Sequence, residues 1–103
     1  MQSLIMSTCK SSEEAEKIGK DLLQKKLVAC AKVIQQMKSM YWWKGKIEEN
    51  NEVLLLLLTK TVLVEPVMDR IKKLHSYKVP EIIELKIEKG NEQYIEWLMD
   101  VTL

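Results

Sequence analysis

The 103-residue sequence predicts an α+β chain, and three observations carry that reading. Extended apolar stretches flank a two-residue turn candidate, Lys44-Gly45, as in a long β-hairpin. Apolar residues recur at helical spacing on either side of that hairpin. Six consecutive apolar residues, Val53-Leu54-Leu55-Leu56-Leu57-Leu58, sit in its return arm, where a strand with one wet face would alternate.

Residues 3–9 read as a short strand around Leu4, Ile5 and Met6. Ser11 has the position of a helix N-cap, with Glu14 three residues on completing a capping box. Ala15, Ile18, Leu22, Leu23 and Leu27 follow at helical spacing and predict a helix running to about Leu27. From Ala29 to Trp43 the pattern turns extended, through Ala31, Val33, Met37 and Met40 to Tyr41, Trp42 and Trp43. Gly45 supplies the positive φ of the turn, and residues 46–59 form the return strand. Leucine favours helices, so propensity alone allows a helix at 53–58; placement after a hairpin turn decides for strand. Pro66 suits the first turn of a second helix, whose stripe of Val64, Val67, Met68, Ile71 and Leu74 ends at His75. Residues 76–80 are a loop, because the residue before Pro80 is pushed out of helical space. Residues 81–87 read as a fourth strand, and Asn91 caps a last helix with Tyr94, Ile95, Trp97, Leu98 and Val101 on its apolar side. The order β-α-β-β-α-β-α, with right-handed crossovers, gives a ferredoxin-like sandwich: an antiparallel sheet, helices on one face, and an added C-terminal helix. Residues 1–103 form a single domain on this reading.

The hairpin calls for partners. A fifteen-residue strand from Ala29 to Trp43 spans about 50 Å at ~3.4 Å per residue. A domain of this size has a diameter of about 33 Å, so the hairpin overhangs it unless a bulge or bend intervenes. Helices cover one face of the sheet, and the leucine run needs cover on the other as well. Leaving three of those side chains in water forgoes roughly 1.5–3 kcal/mol each, so the chain is expected to self-associate.

Composition removes several classes of function. Sixteen basic side chains, all lysine but Arg70, interleave with fifteen acidic ones for a net charge of +1. That pattern argues against a nucleic-acid partner. No signal peptide or membrane-length apolar run is seen, so no membrane partner is expected. Cys9 and Cys30 lack CxxC spacing and read as reduced thiols of a cytoplasmic protein. The missing CxxC also excludes a heavy-metal chaperone, and the absence of Phe excludes an RNA-binding module of this fold. An acylphosphatase needs a phosphate-cradling loop with an arginine, but Arg70 sits mid-helix. No P-loop, Gly-rich dinucleotide turn, HExxH or nucleophile elbow occurs, and no enzyme is expected.

Particular segments carry a family resemblance. Leu27-Val-Ala-Cys30-Ala, Tyr41-Trp-Trp-Lys-Gly-Lys-Ile47, Glu52-Val53 through Thr59-Lys60-Thr61, Leu74-His75-Ser-Tyr77-Lys-Val-Pro80-Glu81-Ile and Tyr94-Ile-Glu-Trp97-Leu resemble, in order and spacing, the CutA divalent-cation tolerance proteins. The resemblance covers nearly the whole chain. It implies a cytoplasmic homotrimer of ferredoxin-like subunits that exchange long strands, with no enzymatic activity and with copper or another divalent metal as ligand. His75 matches the histidine of the family's His-x-Tyr-x-x-Pro-Glu pattern. A cysteine implicated in some bacterial members falls at Ser7, and Cys9 lies two residues on, on the same strand face. The trimer also resembles PII signalling proteins, which leaves an alternative: a regulator binding a small ligand or partner protein at the subunit cleft.

The remaining residues admit two readings each. His75, the one histidine, is a metal ligand or a helix C-terminal residue bonding carbonyls. Cys30 joins His75 or Glu81 as a soft ligand, or is a small buried hydrophobe; Cys9, near a strand end, is expected to be the more exposed thiol. Tyr41, Trp42 and Trp43 stack on a planar ligand or fill a subunit interface, and Trp97 belongs with the interface. Lys60, Tyr77 and Glu81 line an intersubunit cleft or make ordinary hydrogen bonds.

Overall fold

The computed structural model describes residues 1–103. In chain order it contains β1 (Gln2–Cys9), α1 (Ser12–Gln24), β2 (Cys30–Trp43), β3 (Lys46–Lys60), α2 (Val64–Leu74, entered through a 3-10 turn at Thr61–Leu63), β4 (Ile82–Ile87) and α3 (Glu92–Val101). The sheet is antiparallel throughout, in the order β2-β3-β1-β4. Each crossover helix therefore joins two parallel strands with a third inserted between them, the split β-α-β arrangement expected of the element order.

Local chemistry sets the element ends. Ser11 Oγ accepts from Glu14 N–H at 3.1 Å and caps α1. The capping box does not close on Ser11, however. Glu14 Oε1 accepts from Lys10 N–H at 3.2 Å, and Oε2 reaches across the fold to Ser76 N–H at 2.8 Å. α1 also stops short of Leu27: Lys26 takes a left-handed φ of 57°, and the amides of Lys26 and Leu27 return to the carbonyls of Leu23 and Leu22. That is a Schellman ending, with lysine where glycine is usual. In the hairpin turn both Lys44 (φ 49°) and Gly45 (φ 77°) are left-handed, not Gly45 alone, as a two-residue type I′ connection demands. At Gly19, α1 lies so close to β2 that an added Cβ would stand 3.0 Å from Ala31 Cβ.

Strand alternation divides the leucine run between two faces. Val53, Leu55 and Leu57 point to the helices and join Ile5, Ile18, Leu22, Val67 and Ile71 in the main core. Leu54, Leu56 and Leu58 point the other way, opposite Thr8, Met6 and Leu4 of β1, and are only half-buried. Ile83 and Leu85 of β4 continue this second face and are 43% and 50% exposed. Cover here is partial. Lys60 shares the parity of Leu58, and its Nζ donates to Leu103 O at 2.7 Å, tying the end of α3 to this end of the sheet. On α3 only Leu98 is fully buried, while Tyr94, Trp97 and Val101 remain exposed.

The hairpin overhangs its domain as expected: the molecule measures 44 Å along one axis and 26 and 23 Å along the others. Residues 40–51 are exposed throughout. A bulge between Ile34 and Met37, with Gln36 at φ 60°, bends β2 where the arm leaves the body.

One ion pair locks the two crossover helices together. Arg70 Nε and Nη2 donate to Asp21 Oδ2 and Oδ1 at 2.8 and 3.0 Å. The guanidinium holds the Asp21 carboxyl down at about 2, from an ordinary 3.8. Because the folded-state pKa is depressed, this contribution is present above the unfolded value and is lost as pH falls from about 4 towards 2. The pair is partly solvated, so its contribution is modest. Acid denaturation followed by circular dichroism should show wild type losing that increment between pH 4 and 2 and Asp21→Asn lacking it; parallel curves would contradict the assignment.

Candidate functional site

The end of β1, the first turn of α1 and the C-terminus of α2 converge at one corner of the fold. Each brings one donor: Cys9, Glu14 and His75, whose ligand atoms all lie within 4.8 Å of one another. Cys9 gets there because β1 continues straight through Thr8, which keeps Cys9 on the same inward side as Ser7. Glu14 points inward because its carboxylate bonds both Lys10 and Ser76 amides. His75 is the C-cap of α2, and its backbone N–H still closes the last turn on Ile71 O at 2.9 Å.

The imidazole is held at both nitrogens. Nε2 lies 2.7 Å from the Thr8 carbonyl and donates to it, since a carbonyl only accepts. Nδ1 accepts from Tyr77 N–H at 3.0 Å and so carries no proton. His75 does bond a carbonyl, as one of its two readings required, but one from β1 rather than from its own helix. Tyr77 extends the network outward: its ring packs on His75 with centroids 4.8 Å apart, and its hydroxyl donates to Glu52 Oε2 at 2.7 Å. No buried side-chain polar atom in the protein lacks a partner.

The electrostatics follow from burial among carboxylates. Burial first, then the charges of Glu14 and Glu52, push the Cys9 thiol up to about 12. Burial and the hydrogen bond to Glu52 push the Tyr77 phenol up in the same way. For Glu14 burial opposes ionisation, but hydrogen bonds from Ser76 and Lys10 outweigh it and hold the carboxyl below its ordinary value. The corner is thus electronegative, with one ionised carboxylate beside a protonated thiol.

Several expectations need correction here. Cys9 is fully buried, not the more exposed thiol. Cys30 pairs with Leu58 and shares its face, so the sheet separates it from His75. Glu81 is exposed, and it is its backbone carbonyl that accepts, from Ser7 Oγ at 2.7 Å. Neither Cys30 nor Glu81 joins the three-donor group. Lys60 grips the end of α3, while Tyr41, Trp42 and Trp43 stand exposed near the hairpin tip, with Trp42 73% and Trp43 58% accessible. Glu14 and Glu52 were not foreseen. In the sequence Glu14 reads only as the partner of Ser11 in a capping box; its bond to Ser76 spans 62 residues, beyond any local pattern. Glu52 carried one faint sign, a charge immediately before the apolar run.

The CutA1 divalent ion tolerance protein family matches residues 3–101. A relative from Pyrococcus horikoshii, named divalent-cation tolerance protein CutA, is 42% identical over 99 residues, covering 96% of this chain and 96% of its own. The human protein named CutA is 41% identical over 95 residues, covering 92% of this chain; the chain spans about half its length, 53%. Among solved structures, a divalent cation tolerance protein from Thermus thermophilus superposes with a TM-score of 0.96 at 38% identity, covering 99% of both chains.

Proposed function

The chain belongs to the CutA1 divalent ion tolerance protein family, and on that premise we propose that it is a non-enzymatic, cytoplasmic homotrimer that binds divalent metal at Cys9, Glu14 and His75. The observation that carries the metal reading is the convergence of one sulfur, one carboxylate and one imidazole within 4.8 Å. The donor set fits the ion: sulfur and imidazole favour copper or zinc, whereas magnesium and calcium prefer all-oxygen sites. An electronegative surrounding suits a cation, whose own charge stabilises the thiolate that burial otherwise opposes. The trimeric reading is supported by the overhanging hairpin, the apolar second face and the unpaired outer edge of β2. Unpaired cysteines, on opposite faces of the sheet, support a reducing compartment. No helix is long and apolar enough to cross a membrane.

Calorimetry tests the metal site. Zinc, which is redox-silent, and copper under anaerobic conditions are expected to bind wild type with at least tenfold higher affinity than Cys9→Ser, a near-isosteric change whose melting temperature serves as the folding control. Equal heats for the two proteins would remove Cys9, and with it this site.

A further inference from the structure

The segment leaving α2, His75-Ser76-Tyr77, works as a strap. Four hydrogen bonds seat it on three other elements and on itself. His75 Nε2 holds the Thr8 carbonyl of β1 at 2.7 Å, and Ser76 N–H holds Glu14 Oε2 of α1 at 2.8 Å. Tyr77 N–H holds His75 Nδ1 at 3.0 Å, and Tyr77 Oη holds Glu52 Oε2 of β3 at 2.7 Å. Two of these bonds end on donor atoms of the proposed metal group. They are not equivalent. A carboxylate oxygen has a second lone pair and accepts an N–H while still facing a cation; an imidazole nitrogen has one lone pair. With Nε2 carrying its proton towards Thr8, the only lone pair on the ring is the one Tyr77 N–H already occupies.

The far end of the strap sits where the hairpin leaves the body. Glu52 is 9% exposed, and the arm beyond it, residues 46–51, is exposed throughout. In register Glu52 lies opposite Met37, the first paired residue after the bulge, next to left-handed Gln36. Tyr77 therefore spans the distance between the imidazole and the root of the hairpin, one bond at each end.

We infer that Tyr77 is a latch: its amide must leave His75 Nδ1 before the imidazole can face a cation, so occupation of the donor group unseats the strap and slackens the Glu52 anchor at the hairpin root. This rests on the metal site proposed above. Linkage makes the coupling reciprocal: whatever loosens the strap raises metal affinity, and whatever fills the site loosens the strap.

Zinc titration by calorimetry, run beside residue-resolved amide hydrogen exchange, tests it. Ligand binding ordinarily slows exchange across a protein by stabilising the folded state. Here the Tyr77 amide should move the other way, exchanging at least tenfold faster at saturating zinc while core amides of β1 and β3 slow. Tyr77→Phe, which keeps the amide but frees Glu52, should bind zinc three- to tenfold more tightly than wild type. Zinc heat with Tyr77 N–H equally or better protected, and an unchanged affinity in Tyr77→Phe, would overturn the latch and leave the metal site standing. No zinc heat in wild type would overturn both.

Discussion

Leu56→Asp is expected to dissociate the protein completely, with light scattering returning a mass near the 12.1 kDa of one chain where wild type returns about three times that. Leu56 sits centrally in β3 on the face turned away from α1 and α2, opposite Met6 of β1 and Lys32 of β2. In a single chain this face is half-open, so an aspartate there keeps its carboxylate in water, and the fold survives with its main core untouched. In the proposed trimer the same carboxylate would be enclosed beside Leu4, Leu54 and Leu58 of its own sheet, with Lys32 opposite on β2, exposed in the single chain, as its cross-strand cation. Burying a charge costs several kcal/mol, one flexible surface lysine offsets it only in part, and a three-fold assembly imposes the remainder three times over. The effect on association is therefore many orders of magnitude, far above what loss of leucine contacts alone produces. Circular dichroism of the variant should keep the wild-type shape. A variant that still runs as a trimer at micromolar concentration would show that the second face is not the interface.

The contrast between Leu56 and its neighbour Leu57, which is fully buried under the helices, marks what was legible in the sequence. An unbroken apolar run puts apolar side chains on both faces of a strand, and the alternate leucines divide in that way: Leu55 and Leu57 lie in the core, while Leu54, Leu56 and Leu58 line a face that stays half-open in the single chain. Caps were legible for the same local reason: Ser11 and Asn91 accept from amides two or three residues on, so the signal lies within one turn. The helix end at Lys26 was not, because nothing in a lysine announces a left-handed residue where glycine is usual. The site was half legible. His75 was legible from its chemistry and its match to the family pattern, and Cys9 from its place two residues beyond Ser7, but their partner depended on register and on contacts across the fold. The two readings of Cys30, ligand or small hydrophobe, stayed open for the same reason, and its pairing with Leu58 decides against the ligand. A shift of one residue in strand pairing exchanges the two faces, and the bulge at Ile34/Met37, which sets how β2 meets β3 beyond it, has no marker in the residues.

His75→Ala is expected to cost about 3–5 kcal/mol of stability, measured by chemical denaturation, quite apart from any effect on metal. Two bonds disappear, and their partners stay behind: the Thr8 carbonyl inside the fold and the partly buried Tyr77 amide. Each buried polar group left unpaired costs about 1–3 kcal/mol, and a ring-sized cavity adds to that. Two finer variants separate the contributions. His75→Asn keeps an acceptor close to Nδ1 and should hold the Tyr77 amide while losing Thr8. His75→Gln keeps a donor close to Nε2 and should hold Thr8 while losing Tyr77. Each is expected to recover about half of the alanine loss, because each restores one of two comparable bonds. Neither amide replaces an imidazole as a ligand for copper or zinc, so both should lose metal affinity while differing little in fold. If instead the alanine variant melted with wild type, the ring would be carrying no structural load, and its two hydrogen bonds would have to be read as incidental to a site kept for its ligand alone.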